Sequence, residues 1–509
     1  MLTPADKAWI KLKSIYLRIT LSKFTTAFFL FSFAQCFSQG IIQSFLYSID
    51  SDASSLTTSV LEQSNVTWKN ELAWLTRPNS TYRLELCHHI PYGASSDPCI
   101  PVYETGSNAT YNFTGYRKRD RVTASDLARL PDISHPGRTK DGTTVKAVFD
   151  NKTGDITGVE LDKNNDKVTL NLQCARVLIY PDQVLKNSRR EELALIGSQF
   201  WLFLIGFHAV VYESAPHLLA VFFTRVIQSG WSAYSIWRTK DIHRRFNHLI
   251  INPETPCHTK KLFPTYFSQR LAWQIPDLVL NLVSLLVTAY LGWKLVRLYN
   301  QHAFKRVGPP KHIVRIYRFF LAIWVCLQLS VFFLVTLMGL WVDQLVNSAV
   351  KHVSSHTTIY FAAFLFTLIC LIPWITLGWY SVSREMKRMM VVFLVINLAF
   401  LGCWAAMFDS LVFRWTFVQW PFLGCMSVAA LIFLTASFVL GVVCWRKFGE
   451  GLAQYLHVEN MLEDMDFEPE VFQTDVEKAK ISPSDKWEPT MSPIDVTLPS
   501  VAYFPTTPK

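Results

Sequence analysis

The sequence predicts an α-helical polytopic membrane protein, with about eight transmembrane helices and a small, mostly β extracellular or luminal domain. Three observations carry that prediction. Half of the 509 residues are hydrophobic and 17% are charged, against roughly 25% charged in a typical soluble domain. Apolar runs of about 20 residues or more, enough to cross a bilayer core of about 30 Å, surround Phe28, Phe203, Leu286, Phe332, Phe366, Val395 and Phe433. One polar stretch holds five Asn-x-Ser/Thr glycan acceptors, at Asn65, Asn79, Asn108, Asn112 and Asn151, and the rest of the chain holds none.

The net charge of +10 does not point to nucleic acid. Lys and Arg sit beside apolar runs, where they set orientation across a membrane, and no basic stripe with interleaved aromatics argues for DNA or RNA. The expected partners are the lipid bilayer, an unidentified extracellular ligand or substrate, and a cytosolic partner of the C-terminal tail.

In chain order, residues 1–23 read as a cytosolic N-terminus carrying Lys7, Lys11, Lys13, Arg18 and Lys23, and residues 24–47 as a transmembrane anchor. The small residues in "SFAQ" and "CFSQ" also suit a cleavable signal peptide. An uncleaved anchor is favoured, because the apolar run continues past both. Gln35, Gln39 and Gln43 recur every four residues and so share one helix face, which should pack on other spans.

Residues 48–192 form the expected glycosylated domain. Within it "TTVKAVFD", "ITGVELD" and "VTLNLQCARVLIY" read as strands with partial apolar alternation, separated by the turn signals "NKTGD" and "KNNDK". Cys87, Cys99 and Cys174 make an odd number for an oxidising compartment; Cys257, in a later loop, completes four and allows two disulfides in any of three pairings. Cys326, Cys370 and Cys403 fall within spans and are expected to be buried thiols. "CHH" at Cys87 to His89 lacks the spacing of a zinc motif, and no metal or cofactor is expected.

The seven-span bundle is expected over 193–445, with spans at 193–212, 218–237, 273–293, 319–342, 357–379, 389–408 and 420–444. Its first apolar stretch, Leu193 to Trp237, would measure nearly 70 Å as one helix. It must therefore break, and "ESAPH" marks the place, because Pro216 disfavours helix at the residue before it. Basic linkers at "KLVRLYNQHAFKRVGPPKHIVRIYR" and "SREMKR", with Arg446 and Lys447, are assigned to the cytosol. Counting back puts the loop from Arg238 to Ala272 outside, although it is itself basic. The tail, 446–509, is expected to be cytosolic and largely disordered, with an amphipathic segment at "GLAQYLHVENML" and phosphorylation candidates at Ser482, Ser492 and Thr507, each before a proline.

His208, Glu213, His217 and Arg225 flank the break. Ionisable groups at membrane depth invite a proton-linked or anion-binding cluster; the plainer alternative is that His208 packs and Arg225 snorkels or pairs with Glu213. Asp277, Asp343 and Asp409 lie near span ends towards the outer face, where they would either converge as an acidic vestibule for a cation or amine, or simply mark boundaries. Asp277 follows Pro276 in what reads as the first turn of its helix, where the helix dipole favours a carboxylate. A metal held by His208, Glu213 and His217 would make a membrane hydrolase, the least favoured class. With no G-x-S-x-G, H-E-x-x-H, Walker A or dinucleotide fingerprint, no catalytic residue is assigned and no enzyme is expected.

The phrases "QFWLFLIGFHAVVYESAPHLLA", "SGWSAYSIWRT", "IPDLVLNLV", "HAFKRVG", "LWVDQL", "PWITLGWYSVSRE", "FRWTFVQWPF" and "LGVVCWRKFGEGLAQYL" resemble an uncharacterised family of polytopic membrane proteins from mushroom-forming basidiomycete fungi. The resemblance spans about Gln199 to Leu456. It implies a fungal source and a multi-pass architecture, and no activity. An outer domain feeding seven spans with a cytosolic tail has the layout of a surface or secretory-pathway sensor or binding protein. The alternative is a transporter or lipid-handling protein using Asn281, Gln328, Asn397 and Arg225, with broken spans at Pro216 and Pro373. Either is expected in the plasma membrane or secretory and endosomal pathway, with both termini cytosolic.

Overall fold

The computed structural model describes residues 4–64, 71–78, 81–91, 99–105, 136–140, 142–150, 156–163, 166–253, 255–257, 262–305, 311–353 and 357–449. The five sequon asparagines, the amphipathic stretch after residue 450 and the three phosphorylation candidates lie outside these residues.

Helix α1 (Pro4–Ile19) is followed by α2 (Lys23–Gln63), which opens on a capping box between Ser22 and Thr25. The 41 residues of α2 span about 60 Å at 1.5 Å per residue, twice the bilayer core. The anchor expected at 24–47 is therefore only its first half. It continues because its buried stripe continues, through Asp50, Ser54, Thr57 and Leu61, so the second half has a face to pack.

Two antiparallel sheets follow. The first has strand order β1 (Leu72–Thr76), β2 (Arg83–Cys87), β3 (Cys99–Glu104), and the second is a meander of β4 (Gly137–Arg138), β5 (Thr144–Phe149), β6 (Ile156–Lys163) and β7 (Asp166–Asn171). Strands β5 and β6 lie where the alternation placed them. The segment "VTLNLQCARVLIY" corrects the reading as a single strand. Pairing stops at Asn171, whose side chain accepts from the Cys174 backbone N–H at 2.7 Å and caps α3 (Leu172–Val177).

Long helices make up the rest: α4 (Ile179–Val211), α5 (Ala215–Phe246), α6 (Tyr266–Lys305), α7 (Lys311–Asn347), the short α8 (Val350–Val353), α9 (Thr357–Ser383), α10 (Lys387–Asp409), the short α11 (Leu411–Gln419) and α12 (Pro421–Arg446). The break at "ESAPH" is a tight turn. Glu213 takes a left-handed φ of 48°, the Ser214 N–H reaches back to the Ala209 carbonyl at 3.0 Å, and Pro216 sits in the first turn of α5. Because α6 begins at Tyr266, Pro276 lies inside the helix. Asp277 is therefore not in a first turn, and its placement owes nothing to a helix dipole.

Seven helices are long and apolar enough to cross a membrane. Their outward faces carry large apolar side chains such as Leu286, 71% exposed, and Ile372, 70% exposed, which only a lipid environment covers comfortably. The eighth expected span falls in α5, which buries Thr224, Arg225, Gln228, Ser229 and Ser232. Its polar face packs among other helices, so mean hydropathy alone does not mark it as a span.

The helices alternate in direction. Phe28 of α2, Leu202 and Val210 of α4, Leu218 of α5, and Leu291 and Leu295 of α6 share one cluster at what we term the turn end. Val60, Leu61, Leu185, Phe246, Leu249 and Tyr266 join β-strand residues in another at the sheet end. Helix α7 begins near the turn end, where Trp324 meets His217, and reaches the sheet end, where Asp343 meets Arg190. The Arg18 guanidinium donates to the Val211 carbonyl at 2.9 Å, and the Gly449 N–H to Glu385 at 3.2 Å, so both ends of the described chain lie at the turn end.

Candidate functional site

The bundle has two unlike halves. Helices α7, α9, α10 and α12 pack an aromatic, apolar core around Trp341, Trp374, Phe393 and Leu434. Helices α2, α4, α5 and α6 instead turn polar faces towards one another, and these side chains form a layered network.

At the sheet end, Asp182 of α4 accepts from the hydroxyls of Thr57 and Thr58, each at 2.8 Å, and pairs with Lys186 at 2.7 Å. One layer inward, Arg270 of α6 bridges Asp50 of α2 and Glu192 of α4, the latter at 3.1 Å, while the Tyr266 hydroxyl donates to Asp50 at 2.8 Å. Beside it Arg238 of α5 grips Glu191 through two bonds of 2.7 and 2.8 Å, and the Trp420 indole N–H donates to the same carboxylate at 2.5 Å. Deeper still, Asp277 accepts from Gln39, Asn281 at 3.1 Å and Ser232 at 2.5 Å. The network ends with Gln228 donating to Ser198 at 2.6 Å and Arg225 to Gln199 at 3.2 Å.

Each layer explains a sequence feature. The four-residue spacing of Gln35, Gln39 and Gln43 does mark a buried face: Gln35 donates to Gln39, which donates to Asp277. The basic loop from Arg238 to Ala272 is largely helix, and Arg238, Arg245 and Arg270 are tied to Glu191, Asp241 and the Asp50–Glu192 pair. Those charges are neutralised within the protein, so they do not act as free orientation signals. Cys174–Cys257 and Cys87–Cys99 are the disulfides, one of the three pairings open from sequence, and the first fastens that loop to the sheet end. Cys326, Cys370 and Cys403 are half-buried, not buried as expected, because their helix faces are only partly covered by neighbouring helices.

The other candidates are dispersed. His208 and His217 meet as tilted rings with centroids 4.3 Å apart, and His217 Nδ1 lies 2.6 Å from the Ser214 hydroxyl. Arg225 does not pair with Glu213; it is buried nearly three turns into α5 against Gln199. Asp277 belongs to the polar network, Asp343 pairs with Arg190, and Asp409 is exposed at the end of α10. These partner sets are separate, and no hydrogen bond or ion pair joins the three carboxylates among the described residues. Among those residues no group of three or more His, Cys, Asp or Glu is arranged to hold a metal ion.

A cleft of about 400 Å³ opens at the sheet end, between α2, β1 and α4 on one side and the α7–α8 corner and α11 on the other. Lys186, Arg190, Arg245 and Lys351 line it with Glu62 and Asp182, and Trp415 and Trp420 supply an apolar wall. Three of the cations are already paired, Lys186 with Asp182, Arg190 with Asp343 and Arg245 with Asp241, so the cleft offers a polar, charge-balanced lining beside an aromatic wall, which suits a polar ligand. Sequence reading missed Asp50, Glu191, Glu192, Arg190 and Arg270. The local signal available was "REE" abutting an apolar run. Comparison with protein-family models, curated proteins and solved structures finds no match.

Proposed function

We propose that the protein is a surface or secretory-pathway sensor that binds a small polar ligand in the sheet-end cleft. The observation that carries this reading is the cleft's construction. Its walls include α2 and α4, which run unbroken from the sheet-end core into the bundle, so closure around a ligand would shift helices that cross the membrane. The sheet end faces the lumen and then the cell exterior, the five sequons carry glycans, and both termini face the cytosol. Binding, without chemical turnover, is the activity.

The test is a thermal-shift screen of organic acids and phosphates on the purified full-length protein. Ligands that stabilise the wild type should lose their effect in Lys351→Glu and Trp415→Ala. Stabilisation that survives both substitutions would remove the cleft from the argument. Peptide N-glycosidase treatment should lower the apparent mass, and an unchanged mass would refute the assigned orientation.

The polar interior of α2, α4, α5 and α6 supports a second reading, a transporter or lipid-handling protein. The screen's hits also separate the two. Accumulation of a hit inside proteoliposomes favours transport, and binding without accumulation favours the sensor.

A further inference from the structure

Inside the polar half-bundle, Gln43, Glu192, Gln228, Gln274, Asp277 and Asn281 surround a cavity with about 10 Å³ of room for the centre of a water-sized body. That is roughly the volume one water, or one small ion, requires. Five of these side chains present an oxygen with no hydrogen-bond partner: Gln43 Oε1, Glu192 Oε2, Gln228 Oε1, Gln274 Oε1 and Asn281 Oδ1. All five residues are more than nine-tenths buried.

Hydrogen bonding fixes two of the amide orientations. The Asn281 nitrogen donates to the Asp277 carboxylate, which can only accept, so its oxygen is the end left over. The Gln228 nitrogen donates to Ser198, whose hydroxyl proton is given to the Leu195 carbonyl, and the Gln274 nitrogen donates to Ser235. A buried acceptor without a donor is costly. A single water has two hydrogens to give and would leave three of these oxygens unmet; a cation can be approached by all of them.

Charge points the same way. Asp50, Glu191, Glu192 and Asp277 are four buried carboxylates against the three guanidiniums of Arg225, Arg238 and Arg270, which leaves one negative charge in excess; Arg225 itself is held by the neutral amide of Gln199. The ligand set is mostly neutral amide oxygen, and one of its two carboxylates is already held by Arg270. Calcium sites usually bring six to eight oxygens with several carboxylates among them.

We propose that this cavity binds one monovalent cation of sodium's size, held by the Gln43, Glu192, Gln228, Gln274 and Asn281 oxygens beside Asp277. The proposal does not depend on what the sheet-end cleft binds. A bound ion would tie α2, α4, α5 and α6 together at the level where the outer part of the bundle begins.

The experiment uses full-length protein purified in detergent, with sodium chloride replaced stepwise by choline chloride at constant ionic strength. Tryptophan fluorescence should report a saturable, sodium-dependent rise in Tm of several degrees, since a ligand that binds only the folded state stabilises it by mass action. Radiolabelled sodium should bind at about one ion per chain. Asp277→Asn and Gln274→Leu should each abolish both signals; Gln274→Leu keeps the side-chain volume, so it reads out even if Asp277→Asn fails to fold. An equal rise in choline, absence of bound sodium in the wild type, or full sodium binding in folded Gln274→Leu would each overturn the proposal.

Discussion

Arg270 shows why the interior charges come as groups. Asp50 is wholly buried and Glu192 nearly so, and a carboxylate taken out of water without a partner costs several kcal/mol. One guanidinium serves both. Arg270→Met should therefore destabilise the folded protein by about 3–5 kcal/mol, seen as loss of monodisperse material in detergent, and Asp50→Asn in the same chain should restore part of it. A single variant as stable as wild type would mean that the carboxylates are solvated after all. Glu85 on β2 makes the opposite point within the sheets. It pairs with Arg83 at 2.9 Å, yet burial pushes its carboxyl above the usual carboxylate range, Arg83 opposing the shift and Glu104 adding to it. A raised folded-state value means that Glu85 favours folding below the unfolded carboxylate pKa and loses that contribution as pH rises through the folded one. Glu85→Gln should accordingly slow hydrogen exchange along β2 at pH 7.5 and leave it unchanged at pH 3. Equal exchange in variant and wild type at both values would contradict this account.

Among the elements, α9 and α10 are joined by a turn whose Glu385 has φ 50°, and they approach closely enough that a Cβ on Gly378 would lie 2.8 Å from the Phe393 ring and 2.9 Å from Leu327. Phe393 cannot easily give way, because it is fully buried and stacked on Trp374 at 5.6 Å. Gly402 on α10 has nothing within 4 Å of the same added atom. Both changes to Ala gain helix propensity, roughly 1 kcal/mol, so their difference isolates packing. Gly378→Ala should lower the unfolding temperature relative to Gly402→Ala, by about 1–3 kcal/mol in stability, and matching values would show that the helices part freely. Element existence was legible because hydrophobic runs and the "ESAPH" and "NKTGD" punctuation are local properties of the chain. The spacing of Gln35, Gln39 and Gln43 exposed one wall of the candidate site for the same reason. Its partners were not legible: Asp50 and Arg270 stand 220 positions apart, and nothing local to either predicts their meeting. The first sheet was missed because β1 to β3 are short, and the length of α2 because its continuation is polar even on the face it buries, at Asp50, Ser51, Ser54 and Thr57.

At the scale of the whole molecule, direction is set by contacts that do not depend on counting charges. The Cys174–Cys257 bridge, 83 residues in separation, fastens the segment between α5 and α6 to the sheet end, and Arg18, Val211, Glu385 and Gly449 gather at the other. Of the eight long helices among the described residues, seven are long and apolar enough to cross a membrane; with α5 crossing as the eighth, the number of crossings is even and the two ends of the described chain share a side. An epitope tag before residue 4 and another at the end of the polar tail should therefore be reached together by antibody in selectively permeabilised cells. Positive-inside statistics would be ambiguous here, since Arg238, Arg245 and Arg270 are basic yet internally paired. The contact geometry makes a sharper prediction: a tag inserted near residue 260 must show the opposite accessibility to both termini. If that tag and the termini are reached under the same conditions, α5 does not cross the membrane, and its buried Arg225, Gln228 and Ser232 would then require an account outside the bilayer. If they differ, α5 crosses in spite of its polarity, because Arg225 and Gln228 bond to α4 and Ser229 and Ser232 to α6, a compensation that mean hydropathy does not register.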